Sequence, residues 1–245
     1  MKILRKILAA AYLILVASDF VCASTAVSVI NNRRILADET RKVSGFDGIS
    51  SSGSYHVFIT MGNTESLRLE GDAELINEID TRVENGILKI RNKKQMNHRT
   101  WSNRGRVNIY IHAKKLNSIL LSGSGNIKVN EKVNSEKLSN IVSGSGSIEL
   151  NMDVDEYTAT ISGSGKIIAR GKTDNAKLTI AGSGDFDGDG LHTANTSAKV
   201  SGSGDISIQA DKNLDALVSG SGDIRYSGNA NVKSTKSGSG KISRQ

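Results

Sequence analysis

Asp185, Asp187, Asp189 and Gly190 stand in the stretch DFDGDG (185–190), three carboxylates at every second position. Calcium binds where several carboxylate oxygens converge, so these three acids are a candidate calcium site. Read as a helix-flanked calcium loop, the stretch falls short. Its twelfth position is Thr196 rather than Glu, and nothing around it reads as helix. The competing reading is three outward carboxylates on a solvated strand. The sequence favours it, because Asp185 holds the same place in an internal repeat as Asp205 and Asp223. No other cofactor is suggested.

A second constellation is RNKKQMNHRTWSNRGR (91–106), which gathers six Arg and Lys residues around the single Trp101. Lys93, Lys94, Arg99 and Arg104 are suited to the carboxylates or phosphates of an anionic glycan, with the indole of Trp101 stacking on a sugar ring. The plainer reading, a solvated loop between two strands, is favoured here. The four histidines, His56, His98, His112 and His192, show no ligand spacing.

A third feature is serine. The unit Ser-Gly-Ser-Gly recurs seven times, once with Ala181 in its first place. It is not a nucleophile elbow, which needs Gly-x-Ser-x-Gly on a strand-to-helix turn. Nor is it a dinucleotide loop, since no third glycine and no helix follow. Glycan lyases and hydrolases need clustered acids. A column of Asp185, Asp205 and Asp223 is the one set here that would serve, and an enzyme is the third-ranked reading.

The elements that would carry these residues follow from the repeat. The second glycines are Gly125, Gly146, Gly165, Gly184, Gly204, Gly222 and Gly240, with steps of 21, 19, 19, 20, 18 and 18 residues. A period near twenty with short β-type segments marks a solenoid. Around each copy the apolar residues and both glycines share one parity, as in Ile161, Gly163, Gly165 and Ile167, and the serines take the other. The expectation is a parallel β-helix-like solenoid, all-β, with rungs of about twenty residues. Glycines and aliphatics face inward. Ser145, Ser164, Ser183, Ser203 and Ser221 form an outer ladder open to a ligand. Lys236 takes a slot held elsewhere by Val or Ile, which suits a terminal rung that blocks end-to-end growth.

Ahead of the repeat, SGSYHVFITMG (52–62) reads as a degenerate first copy. SLRLEGD (66–72), GILKIRN (86–92) and RVNIYIHA (106–113) alternate as strands do, and AELINEI (73–79) is compatible with one helical turn. Residues 1–23 read as a cleavable signal peptide: Lys2, Arg5 and Lys6, an apolar run from Ile7 to Val16, and small residues at Val21-Cys22-Ala23. An uncleaved anchor, or a lipid on Cys22, are the alternatives. Residues 24–42 are a polar leader or edge strand, and 43–245 a single domain. The chain carries a formal charge of +7 and one cysteine. Cleavage after Ala23 would remove that cysteine and leave no stable transmembrane segment. The mature charge is too weak to argue for nucleic acid.

The strand at 54–59, GDAELINEIDTRVENGILKI (71–90), the SGSG copies and the closing SGSGDIRYSGNANVKSTKSGSGKI (219–242) together resemble the head GIN domain family, bacterial proteins described as auto-transporter adhesins. The resemblance spans roughly residues 44–243. It implies an exported all-β domain and raises surface binding above the other functions. The expected function is therefore an exported, non-catalytic envelope protein, adhesin-like, with glycan or an envelope or host protein as partner. A structural envelope scaffold without a ligand is the alternative. Export leaves periplasm, outer-membrane surface and extracellular space open.

Overall fold

A computed structural model describes residues 36–93 and 106–245. The expected signal peptide, Cys22, the leader up to residue 35, and Lys94, Arg99, Trp101 and Arg104 lie outside the described residues. Among the described residues, sixteen strands belong to one continuous sheet, with one short helix. The fold is an all-β parallel solenoid.

Its body is made by β8 (Ser118–Gly123), β9 (Asn126–Gly144), β10 (Ser147–Gly163), β11 (Lys166–Gly182), β12 (Asp185–Gly202) and β13 (Asp205–Gly220). It ends with β14 (Ile224–Ser227), β15 (Asn231–Gly238) and β16 (Ile242–Arg244). Each is parallel to its neighbour, and equivalent repeat positions pair. Ile127, Ile148, Ile167, Phe186, Ile206, Ile224 and Ile242 form one inward column. Leu121, Val142, Ile161, Ile180, Val200, Val218 and Lys236 form another. A single rung has no second layer on which to bury its aliphatic face, so stacking supplies the core.

In β10 the buried residues alternate as Ile148, Leu150, Met152 and Val154. The alternation slips where Asp155 and Glu156 both face out, then resumes at Tyr157, Ala159 and Ile161. The slip is a bend of the rung. Val154 is followed in its column by Thr173 and Thr193, both buried. Their hydroxyls are satisfied locally: Thr173 Oγ1 donates to the carbonyls of Asp155 and Asn175, and Thr193 Oγ1 to that of Gln209.

The glycines correct the sequence reading. Only the second glycine of each copy is inside. The first sits at the corner, partly or fully exposed, with φ between +116° and +130° from Gly123 to Gly238. That backbone rotates the chain and breaks the strand parity on which both glycines were placed inward. The second glycine is held by crowding. A Cβ on Gly165 would lie 2.7 Å from the carbonyl oxygen of Gly146, and one on Gly146 would lie 2.7 Å from Leu121 Cδ2.

The first copy is indeed degenerate. β2 (Gly48–Ser52) and β3 (His56–Met61) pair with β8 and β9, Ser52 against Ser122. Tyr55 takes the place of the inward glycine, fully buried, and its hydroxyl hydrogen-bonds Asn92 Oδ1. Beyond this rung lies one more, made by β6 (Ile87–Asn92) and β7 (Asn108–Ala113), parallel to β2 and β3. The chain therefore lays down the second rung first, steps outward, and returns across it to begin β8.

The outer end is closed by antiparallel pieces. β4 (Ser66–Asp72) pairs with β7, β1 (Leu36–Arg41) with β4, and β5 (Ile79–Glu84) with β6. The expected helical turn is α1 (Ala73–Asn77). Asp72 caps it by accepting from the Glu74 and Leu75 amides, and it buries Leu75 and Ile76. Arg41 ties the edge down by donating to the carbonyls of Ile76 and Ile79 and to Thr81 Oγ1. No helix among the described residues is long and apolar enough to cross a membrane.

Candidate functional site

The corner is where the repeat presents identical groups. The first glycine supplies the turn, and the next residue, a serine, hydrogen-bonds down the stack. Ser145 N donates to Gly123 O at 3.0 Å, Ser164 N to Gly144 O at 2.9 Å and Ser183 N to Gly163 O at 2.9 Å. Ser203 N donates to Gly182 O at 2.9 Å and Ser221 N to Gly202 O at 2.8 Å. With the backbone engaged inward, the five side chains are exposed, one above another. Beside them runs a second column, Ser122, Ser143, Ser162, Ala181, Ser201, Ser219 and Ser237. The result is a strip of hydroxyls at a rung pitch of roughly 4.8 Å.

The strands that flank residues 94–105 lie on the outermost rung. Arg91 pairs in register with Ser52, and Asn108 with His56. Lys93 is anchored: its amide donates to Glu78 O at 2.8 Å and its ammonium to Asn77 O. Arg91 pairs with Asp80.

The acids follow the corner onto the adjoining wall. Asp185, Asp187 and Asp189 share one outward face of β12. Asp187 is taken by Arg170, whose Nη1 and Nη2 reach its carboxylate at 2.9 and 3.3 Å. That hydrogen bond holds the Asp187 pKa below its ordinary value. Asp185 lies between Lys166 and Asp205 in register. Lys166 and the four aspartates Asp185, Asp187, Asp189 and Asp205, with Ser207 and Arg225, line a shallow depression of about 190 Å³. Among the described residues no three His, Cys, Asp or Glu side chains gather as a metal cage.

The column Asp205 and Asp223 bonds the backbone of the following rung. Asp205 Oδ1 accepts from Asp223 N at 2.9 Å, and Asp223 Oδ1 from Lys241 N at 2.8 Å. Arg225 closes on Asp205 at 3.1 Å.

Two features escaped the reading of the repeat. Asn175, Asn195, Asn213 and Asn231 pair in register. Their amides form a ladder: Asn195 Nδ2 donates to Asn175 Oδ1 at 3.1 Å, and Asn213 Nδ2 to Asn195 Oδ1 at 2.9 Å. The signal was there, an Asn one residue before an inward position in four successive units. The second feature left no trace in the sequence. Phe58 stacks on Tyr110 with ring centroids 5.3 Å apart, and the Arg68 guanidinium lies 4.3 Å from the Tyr110 centroid.

Solved structures share this architecture. A putative adhesin from Bacteroides fragilis is 23% identical over 86% of this chain and 98% of its own, with a TM-score of 0.80. A putative lipid binding protein from Parabacteroides distasonis is 25% identical over 86% and 96%, with a TM-score of 0.70. A putative adhesin from Parabacteroides merdae is 19% identical over 86% and 96%, with a TM-score of 0.71. No curated protein matches the chain. The family model described as "Putative auto-transporter adhesin, head GIN domain" matches residues 45–230, and the chain belongs to that family.

Proposed function

We propose that this chain is an exported, non-catalytic binding protein of the bacterial envelope, and that it grips its ligand along the serine corner. The carrying observation is the column Ser145, Ser164, Ser183, Ser203 and Ser221, exposed and stacked in register. One hydroxyl contact is weak, but contacts repeated along a rigid axis add without new ordering cost. The partner is a repeating polar molecule, a glycan or a protein surface. Lys93, Lys94, Arg99, Trp101 and Arg104 of segment 91–106 suit an anionic end of that partner.

The test is a glycan array and a cell-adhesion assay on the chain lacking residues 1–23. Replacing Ser164, Ser183 and Ser203 together by Glu should lower binding at least about tenfold, some 1.4 kcal/mol, with the melting temperature little changed. Capture that survives the triple variant would remove the corner from the reading.

A structural envelope scaffold is the second reading. Its support is that the Asp205, Asp223 and asparagine ladders spend their polar groups on holding rungs together. Envelope fragility in a deletion strain, restored by the serine-to-Glu triple variant, would favour it.

A further inference from the structure

The C-terminal rung is built differently from the others. Among the described residues β15 pairs only with β13, and β16 only with β14, so within them the far edge of residues 231–238 and 242–244 offers a row of unpaired backbone groups. Its inward slots have also changed character. Where the preceding rung has Ala216, Val218 and Tyr226, this one has Ser234, Lys236 and Arg244 in register. Val232 and Ile242 remain apolar and half-buried, below Leu214 and Ile224. From Ile224 to Gln245 the chain holds Arg225, Lys233, Lys236, Lys241 and Arg244 and no Asp or Glu. Arg225 is paired with Asp205, and among the described residues Arg244 donates to the neutral Asn229 Oδ1. At the other end of the solenoid the edge cations are matched: Arg41 with Glu39, Arg68 with Asp38, Arg82 with Glu84.

We infer that the open C-terminal rung is a docking edge for a β-strand of another polypeptide, one that pairs with β15 and sets a carboxylate against Lys236 and an aliphatic residue against Val232. Three arguments select this occupant. The edge presents backbone donors and acceptors at strand pitch over eight residues, which another strand satisfies and a headgroup layer does not. Lys236 and Arg244 occupy inward slots, so an added rung meets these two face on and must bring acids. A second copy joined edge to edge would set cation against cation. Lysine at an edge deters indiscriminate pairing, and the acid requirement turns that deterrent into selectivity. This surface is separate from the serine corner, and its failure would leave that reading standing.

The probe is a capped peptide of eight residues alternating Thr with Val and Glu, titrated into the full chain by fluorescence anisotropy. Saturable binding is expected, with slowed amide hydrogen exchange confined to residues 231–238 and 242–244. K236E should weaken it about tenfold, and a peptide with Lys in place of Glu should recover affinity for K236E. K236Q serves if K236E does not fold. Several results would overturn the inference: no binding, equal binding by a peptide N-methylated at alternate amides, or no effect of Lys236 substitution. Phosphatidylglycerol vesicles that bind through Lys236 where the peptide does not would replace the strand with a membrane surface.

Discussion

Two glycines in one four-residue unit do different work. Gly163 has φ +116° and Gly165 has an ordinary backbone but no room. Gly165→Ala should cost about 1–3 kcal/mol from overpacking, because the added methyl would meet both the stiff, β-branched Val142 and the carbonyl oxygen of Gly146 on the preceding rung. Gly163→Ala should cost a similar amount through backbone strain. Ser164→Ala, between them, should change stability by less than about 0.5 kcal/mol. Thermal unfolding of the three variants checks the set, and a neutral G165A would remove the packing account. At Asp187, Arg170 lowers the folded pKa. The pair's stabilisation is therefore fully present above the ordinary carboxylate value, near pH 4, and fades as pH falls through the lower folded value. Asp187→Asn should flatten that part of the stability profile, with a small effect at neutral pH because the pair is partly exposed.

At the scale of elements, the two ends of the stack are managed by different means. The N-terminal end is covered by β4, β1, β5 and α1, with Leu75 and Ile76 buried. Leu75→Ala should cost about 2–5 kcal/mol, read by chemical denaturation, and should loosen the cap before the rungs. Among the described residues the C-terminal rung carries no such cover, and Lys236 stands in one of its inward slots. Lys236→Val restores the aliphatic column of Val200 and Val218 and should promote concentration-dependent self-association, seen as a shift in sedimentation velocity. A K236V chain that stays monomeric at high concentration would show that Lys236 is not what limits growth. The strands themselves were legible. Residues 66–72 were read as a strand and are β4, and GILKIRN contains β6, because alternation of Leu67, Leu69 or Leu88, Ile90 is a local pattern. Their partners were not legible. β4 is antiparallel to β7 across about forty residues of chain, and no periodicity encodes that pairing.

For the whole molecule, the decisive property is that copies separated by about twenty residues share one column. This makes the surface a set of ladders rather than a set of residues: serine at the corner, aspartate beyond it, asparagine at a further bend. Binding by such a surface should scale with length. Deleting one complete unit, residues 166–184, should preserve the fold and weaken capture of a polymeric ligand more than that of its monomer, as measured by surface-immobilised binding. Equal losses for polymer and monomer would point to one local site instead.

The amino-acid order determined the period, the strand content, the inward aliphatics and the outward serines, because each is a local pattern repeated until chance is excluded. It also carried the family resemblance. Tertiary structure alone decided three things: that the first glycine turns outward, that the second rung is laid down before the outermost, and that Asp205 and Asp223 bond the next rung. Each depends on which distant backbone lies alongside. Side-chain alternation reports only the face of its own strand. It says nothing about the strand that will pack beside it, and that strand sets the corner geometry and the fate of each carboxylate.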